Sequence, residues 1–303
     1  MRSALICPGQ GAQQPGMLGD LAAAGTDVLD EAAAVLGEDV TTLDTADALR
    51  DTRAVQLALL ICGVTRGRAL LDAGAPIDYL AGHSVGQWTA AVLADVVDVA
   101  DAVRIVDLRA HAMAAAAPPD SGMIAVEGVG AGVIDESAAR LRGDGELVWL
   151  SNINSASAAT ASGTHRALAR LAAELTDVHG ARIRPLEVSV PAHTELMAPA
   201  GAAVATALDD IELRRPRIPI AGNRDGRLLR TPAQLRTDLT DGIVVGVRWD
   251  LCVDVLAGHG TRVWLHNAPG RSLLATLPPD HHSIAVDEVS TDRLVRWAHV
   301  RRR

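Results

Sequence analysis

Leu80-Ala81-Gly82-His83-Ser84-Val85-Gly86 decides the fold class. A short apolar segment breaks at a glycine, presents one serine, then runs into an Ala-rich helical pattern. A chain in that order builds a nucleophile elbow, a tight strand-to-helix turn that lifts a hydroxyl above the sheet edge. Gly82 and Gly86 flank Ser84 at G-x-S-x-G spacing because a Cβ at either position would crowd the turn. A helix opening at Ser84 also aims free N–H groups, notably that of Val85, at an oxyanion forming beside the hydroxyl. The same five residues also fit an ordinary βα turn.

Strands and helices alternate on either side. Ala4 to Cys7 reads as a buried strand closed by Pro8-Gly9. Thr52 caps a helix predicted from about 53 to 73; it is apolar nearly all round, hence central, and Gly74 ends it. A strand at 78–81 enters the elbow, helices follow near 85–95 and 100–117, and Pro118-Pro119 breaks the pattern. Strands at 123–127, 148–152, 158–162 and 183–188 alternate with helices at 131–142 and 164–179. Their order, β-α-β-β-α-β, is that of a ferredoxin-like module. A helix at 194–208, a strand at 218–222, helices at 232–239 and 248–258, and strands at 262–266 and 283–287 complete the chain. This pattern predicts an α/β-hydrolase-like core with a parallel sheet, formed by 1–122 and 191–303. The ferredoxin-like subdomain is inserted over 123–190.

Composition narrows the function. With 303 residues, 49% of them hydrophobic, the chain can bury a large core. Its longest uncharged apolar run, Ala54 to Thr65, is shorter than the about 20 residues that cross a bilayer. Only Arg2 precedes the first apolar segment, so neither a membrane span nor a signal peptide is expected and the location is expected to be cytoplasmic. Cys7, Cys62 and Cys252 are odd in number and scattered through apolar stretches, which reads as inert buried thiols rather than disulfides or a zinc site. There is no lysine; all 28 basic residues are arginine. A P-loop lysine and a Schiff-base lysine are therefore excluded. A net charge of −9 argues against nucleic-acid binding. No bound cofactor or metal is expected.

A serine nucleophile needs a base, and ten histidines are available. His193 ends Ser189-Val190-Pro191-Ala192-His193, a proline-stiffened loop where the inserted module returns to the main domain. Such a junction can hold an imidazole over a neighbouring elbow. His259 and His266 are rivals, and Asp254 with His259 gives the Ser…Asp…His order of an α/β-hydrolase. The residues leave hydrolase and transferase both open.

Four motifs occur in one order: Cys7-Pro8-Gly9-Gln10-Gly11-Ala12-Gln13, the elbow with His83, Leu108-Arg109-Ala110-His111-Ala112-Met113, and Val190-Pro191-Ala192-His193. Together they resemble the malonyl-CoA:acyl-carrier-protein transacylase family over nearly the whole chain. More narrowly, Leu5 to Leu18, Val55 to Ile61 and Leu150-Ser151-Asn152-Ile153-Asn154 resemble the malonyltransferase (epsilon) subunit of bacterial malonate decarboxylase. The resemblance implies ping-pong transfer of malonyl from malonyl-CoA, a coenzyme A thioester, to the thiol of an acyl carrier protein, with other malonate decarboxylase subunits as possible partners. It implies Ser84 as nucleophile and His193 as base, oriented by a backbone carbonyl that matches Arg248. The Gln10 and Val85 N–H groups would form the oxyanion hole, Arg109 would grip the malonyl carboxylate, and Gln56 and His83 would line the site. From the residues alone, Arg109 reads first as an arginine on the polar side of its helix, as Arg104 does, and Gln56 equally as a buried structural amide.

The chain departs from the family in two places. Asn154-Ser155-Ala156-Ser157-Ala158 lacks the proline and glutamine of Asn-x-Pro-x-Gln, and Asn267-Ala268-Pro269-Gly270 replaces Gly-Pro-Gly. The small Ala192 leaves malonyl over methylmalonyl selectivity less secure than malonyl over acetyl. An acidic carrier would need a local basic patch, for which Arg214, Arg215 and Arg217, or Arg301 to Arg303, are candidates.

Overall fold

The computed structural model describes residues 1–22 and 27–302. Ser3 to Cys7 are buried without a break, as a strand inside a parallel sheet must be, and form β1 (Arg2–Cys7). After α1 (Gly19–Ala22) and α2 (Asp27–Leu36) comes α3 (Thr52–Asp72), buried at every position from Ala54 to Thr65. By length and composition α3 could cross a bilayer, but protein covers it. Its N-cap is Asp51 rather than Thr52: the carboxylate accepts the N–H groups of Arg53 and Ala54. Thr52 is thereby left to face the site described below. β2 (Tyr79–Gly82) then enters the elbow, followed by α4 (Gly86–Leu93) and α5 (Val99–Ala116).

The next stretch runs β3 (Ser121–Glu127), α6 (Ala131–Gly143), β4 (Val148–Ser155), β5 (Ala158–Thr164), α7 (His165–His179) and β6 (Arg182–Leu186). These strands pair in the order β6-β3-β5-β4, each antiparallel to its neighbour, over a separate apolar cluster that includes Ile124, Ile134, Leu168 and Leu171. The chain closes with α8 (Ala198–Asp209), β7 (Ile220–Ala221), β8 (Leu228–Leu229), α9 (Pro232–Asp241), β9 (Val247–Arg248), α10 (Trp249–Gly258), β10 (Thr261–His266), β11 (His282–Ala285) and α11 (Thr291–Arg301). The large sheet has the order β11-β10-β1-β2-β7-β8 and is parallel except for β8.

Two features differ from the sequence-based expectation. β9 leaves the large part of the chain and pairs in parallel with β4, Val247 opposite Asn152, so the smaller sheet is not made from 123–190 alone. β3 also begins at Ser121, before the expected boundary. β8 and β9 have two residues each, too short for any periodicity to show.

Register positions the site. Cys7 pairs with Gly82, and Ala81 with Ala221, so the turns after β1, β2 and β7 emerge side by side at the carboxyl edge of the sheet. Parallel α/β sheets leave their ligand crevice there. The elbow fits only because it lacks side chains: a Cβ on Gly82 would lie 2.1 Å from the Gly86 carbonyl group, and one on Gly86 would lie 2.3 Å from Cys7 O. Gly86→Ala is expected to destabilise the fold by roughly 1–3 kcal/mol, because backbone rather than a movable side chain receives the clash. Thermal unfolding checks this, and an unchanged Tm would contradict it.

Candidate active site

The helix after the elbow starts at Gly86, two residues later than the sequence suggests, and His83 to Val85 form the turn itself. Ser84 stands at φ 53°. One backbone carbonyl and two side-chain amides hold the turn. The His83 N–H donates to Cys7 O (2.9 Å), and the Ser84 N–H donates to Asn223 Oδ1 (2.8 Å). Asn223 Nδ2 in turn donates to Gly82 O (2.5 Å), while the Gly82 N–H donates to Gln87 Oε1 (3.0 Å). Neither Asn223 nor Gln87 stands out in the sequence, since polar amides in a turn and in a first helical turn are ordinary.

His193, itself at φ 62°, places Nε2 2.9 Å from Ser84 Oγ and Nδ1 2.7 Å from Gly242 O. A carbonyl can only accept, so Nδ1 carries the hydrogen and the Nε2 lone pair faces the serine hydroxyl. The carbonyl that orients the ring is therefore that of Gly242 and not of Arg248. Gly242 caps the end of α9, where helices leave carbonyls unpaired. Arg248 lies six residues on, in β9, with its N–H on Asn223 O and its guanidinium on Asp250. Burial pushes the His193 pKa down to about 3, and the charges of Arg109 and His83 add to the effect.

The rival histidines lie elsewhere. Asp254 and His259 are exposed on and after α10, and the His259 ring tilts against Tyr79. His266 is fully buried at the end of β10, with no hydrogen-bond partner on either nitrogen among the described residues. All three cysteines are buried thiols, Cys7 and Cys62 pushed up to about 12 by that burial.

Arg109 is 3% exposed on the inner side of α5. Its Nη2 donates to Ser84 Oγ (3.3 Å) and its Nη1 donates to Gln56 Oε1. Burial lowers its pKa to about 10, which leaves it charged at neutral pH. Among the described residues no carboxylate pairs with it, whereas Arg104 on the same helix is exposed and bonded to Asp101. An unpaired buried cation is costly. Gln56, also buried, donates through Nε2 to Thr52 Oγ1 (3.1 Å), and Thr52 reaches Gln10 Oε1 (3.5 Å).

Gln10, Val85, Thr52, Met113, Met123, Leu186, Val190 and Ala192 wall a cavity of about 60 Å³ over these groups. That is room for roughly four to six water-sized groups. Met123 and Leu186 come from the small sheet, so the cavity lies between the two sheets. His83 Nε2 lies 3.1 Å from Asn154 Oδ1 on β4, and its ring is 5.7 Å from that of Trp249. Burial holds the His83 pKa below the ordinary imidazole range. Three of the candidate docking arginines are occupied, Arg214 by Asp98 (2.6 Å), Arg217 by Asp95 (2.7 Å) and Arg302 by Asp78 (2.8 Å), while Arg215 and Arg301 are exposed. Arg303 lies outside the described residues.

Comparison with known proteins places these groups in context. The family model for the acyl transferase domain matches residues 4–233. The malonyl CoA-acyl carrier protein transacylase of Haemophilus influenzae is 33% identical over 300 residues, 95% of this chain and 96% of its own length. That of Escherichia coli K12 is 34% identical over 281 residues, 89% of this chain and 90% of its own length. Among solved structures, a malonyl-transacylase in complex with its type II polyketide synthase acyl-carrier protein superposes with a TM-score of 0.91 at 31% identity, covering 97% of this chain and 99% of that one.

A base whose pKa lies near 3 stays neutral throughout the ordinary histidine range and loses its lone pair only below it. The rate at which a serine-directed acylating probe labels Ser84 should therefore be flat as pH falls through the usual imidazole value, declining only as pH nears about 3. Brief labelling pulses at stepped pH test this, and an acidic limb at the ordinary histidine value would contradict it.

Proposed function

The chain belongs to the acyl transferase domain family, and we propose that it moves a malonyl group from malonyl-CoA to the phosphopantetheine thiol of an acyl carrier protein. The observation that carries this reading is the buried Arg109 guanidinium, bonded to Ser84 Oγ and unpaired with any carboxylate of the described residues. Malonyl is a short acyl group with a free carboxylate. A planar guanidinium can hold that carboxylate by two parallel hydrogen bonds.

In the first half-reaction the Ser84 oxygen attacks the thioester carbonyl carbon while His193 Nε2 takes the hydroxyl proton. Collapse of the tetrahedral intermediate breaks the carbon–sulfur bond, and His193 returns the proton to the departing sulfur. Malonyl-Ser84 and free coenzyme A remain. In the second half the carrier thiol gives its proton to His193, its sulfur attacks the ester carbonyl, and Ser84 recovers the proton as it leaves. The imidazolium formed in each half sits against the Gly242 carbonyl at the C-terminus of α9, where the helix dipole favours positive charge. The oxyanion is read as held by the N–H groups of Gln10 and Val85, each worth roughly 3–4 kcal/mol. Both residues border the cavity beside Ser84, and a residue at a helix start has no intrahelical acceptor for its N–H.

Arg109 also links recognition to chemistry. Its charge depresses the basicity of His193, so a carboxylate that neutralises it strengthens the base as the substrate arrives. An acetyl group leaves the cation unpaired and forgoes that gain. Gln56 supports the guanidinium from behind, and His83 joins the elbow to β4.

The antiparallel order β6-β3-β5-β4 with α6 and α7 supports reading the smaller unit as a ferredoxin-like insertion at about 123–190 in an α/β-hydrolase-like core made by 1–122 and 191–303. The relatives' names support a carrier protein of fatty-acid or polyketide synthesis as acceptor over malonate decarboxylase, which Leu5 to Leu18 resemble. The thioesterase reading needs an Asp254–His259 pair, and both residues lie exposed on and after α10.

Incubation with malonyl-CoA should leave a malonyl adduct on Ser84 that transfers to added carrier protein, seen by mass spectrometry; steady hydrolysis without an adduct would favour a thioesterase. Arg109→Ala should erase malonyl preference, a loss of roughly 2–5 kcal/mol of discrimination, while acetyl-CoA is still accepted. Competition between the two thioesters measures it, and full retention of the preference would remove Arg109 from this role.

A further inference from the structure

We propose that Asp238 is a positioning residue for acyl transfer, a buried carboxylate that holds Gln87 and Asn223 in the one pose that keeps Ser84 in its turn. The proposal rests on the reading of Ser84 as the acylated group. Asp238 lies on α9 in line with Leu235, Leu239 and Gly242, an acid at an apolar position of a buried helix face, and is 5% exposed. Among the described residues no cation pairs with it: the nearby Arg224 side chain turns to Asp241 instead. Its partners are three N–H donors. Oδ2 accepts from Gln87 Nε2 (2.7 Å) and the Asn223 N–H (3.3 Å), and Oδ1 accepts from the Arg224 N–H (3.3 Å).

Each contact decides something at the elbow. A side-chain amide can present either end, and a carboxylate can only accept. Asp238 therefore forces the NH2 of Gln87 toward itself and the Ala221 carbonyl, which leaves Oε1 to take the Gly82 N–H. Through the Asn223 N–H it also holds the turn after β7, where Asn223 clasps Ser84 N–H with one end and Gly82 O with the other. One helix thus serves both reacting groups, because the Gly242 carbonyl orients His193 one turn beyond Asp238. A void of about 10 Å³ lies between Ser84, Arg109, Asn223, Asp238 and Gly242. That is about the room one water needs. Burial pushes the acid up to about 6, which leaves it ionised at neutral pH.

Asp238→Asn keeps the shape and turns one acceptor into a donor, which meets the Gln87 NH2 and the Asn223 N–H or, with the amide turned over, the Arg224 N–H; in either pose one of the three N–H groups loses its acceptor. Single-turnover acylation by malonyl-CoA, read as adduct on Ser84 by mass spectrometry, is compared for the wild-type chain and for Asp238→Asn, Asn223→Ala and the double variant, with thermal melts to confirm folding. Asp238→Asn is expected to slow acylation roughly 10²-fold. The half-saturating malonyl-CoA concentration should hold within about twofold. The double variant should lose less than the product of the two single losses, as groups acting through one another do. Should Asp238→Asn not fold, Gln87→Met removes the same link without emptying the space, and the same slowing is expected. A folded Asp238→Asn or Gln87→Met protein that acylates at the wild-type rate overturns the proposal. So does a loss confined to half-saturation, or losses that multiply in the double variant. An unmodified Ser84 in the wild-type protein would instead sink the functional reading itself, before any variant is compared.

Discussion

Ser84 holds a left-handed backbone at φ 53°, a conformation that costs a residue bearing a Cβ about 1–2 kcal/mol. The strain follows from geometry: a strand must become a helix within three residues while the apex side chain stays clear of both. Two glycines make the approach sterically possible, and N–H groups of the turn donating to Cys7 O, Gln87 Oε1 and Asn223 Oδ1 hold it there. Those partners come from β1, from the first turn of α4 and from the turn after β7, so the pose of the serine depends on the large sheet. His193 also stands in the left-handed region, and the two strained residues meet through one hydrogen bond. Such strain persists only where surrounding structure over-determines it.

The charge distribution sharpens the picture. The chain carries −9 overall, and among its described arginines the common arrangement is a surface ion pair, as when Arg53 bridges Glu38 and Asp107. Arg109 breaks the habit by being buried against an amide and a hydroxyl. The imidazole next to it is held neutral by the same burial that isolates the guanidinium. One fixed positive charge beside one neutral base is an electrostatic frame that an acyl group with its own carboxylate completes.

Much of this was legible in the residues. The long elements α3, α5 and α7 and the alternation around them follow from local apolar pattern, which acts over a few turns of one helix. Gly82 and Gly86 announced the sharp turn because a steric exclusion is written in the residue type. The reading failed where the deciding contact is remote in sequence. Thr52 looks like a cap, yet Asp51 takes that task and Thr52 joins Gln56 to Gln10. The family resemblance points to the Arg248 carbonyl, six residues from Gly242, because only the end of α9 shows which carbonyl is left free. Asp238 had a visible signal, an acid in the apolar stripe of α9, although nothing local says what it meets.

The sequence by itself determined the alternation of strands and helices, the glycine-flanked apex at Ser84 and the residue types able to take a proton or grip an anion, since sterics and hydrogen-bonding capacity belong to each side chain. Only the tertiary structure decided which of ten histidines reaches the serine, that Arg109 is buried rather than solvated, and that β9 crosses to the smaller sheet. Those outcomes depend on distances between groups up to 109 residues apart, such as Ser84 and His193. Strand register and burial set such distances, and no local pattern encodes them.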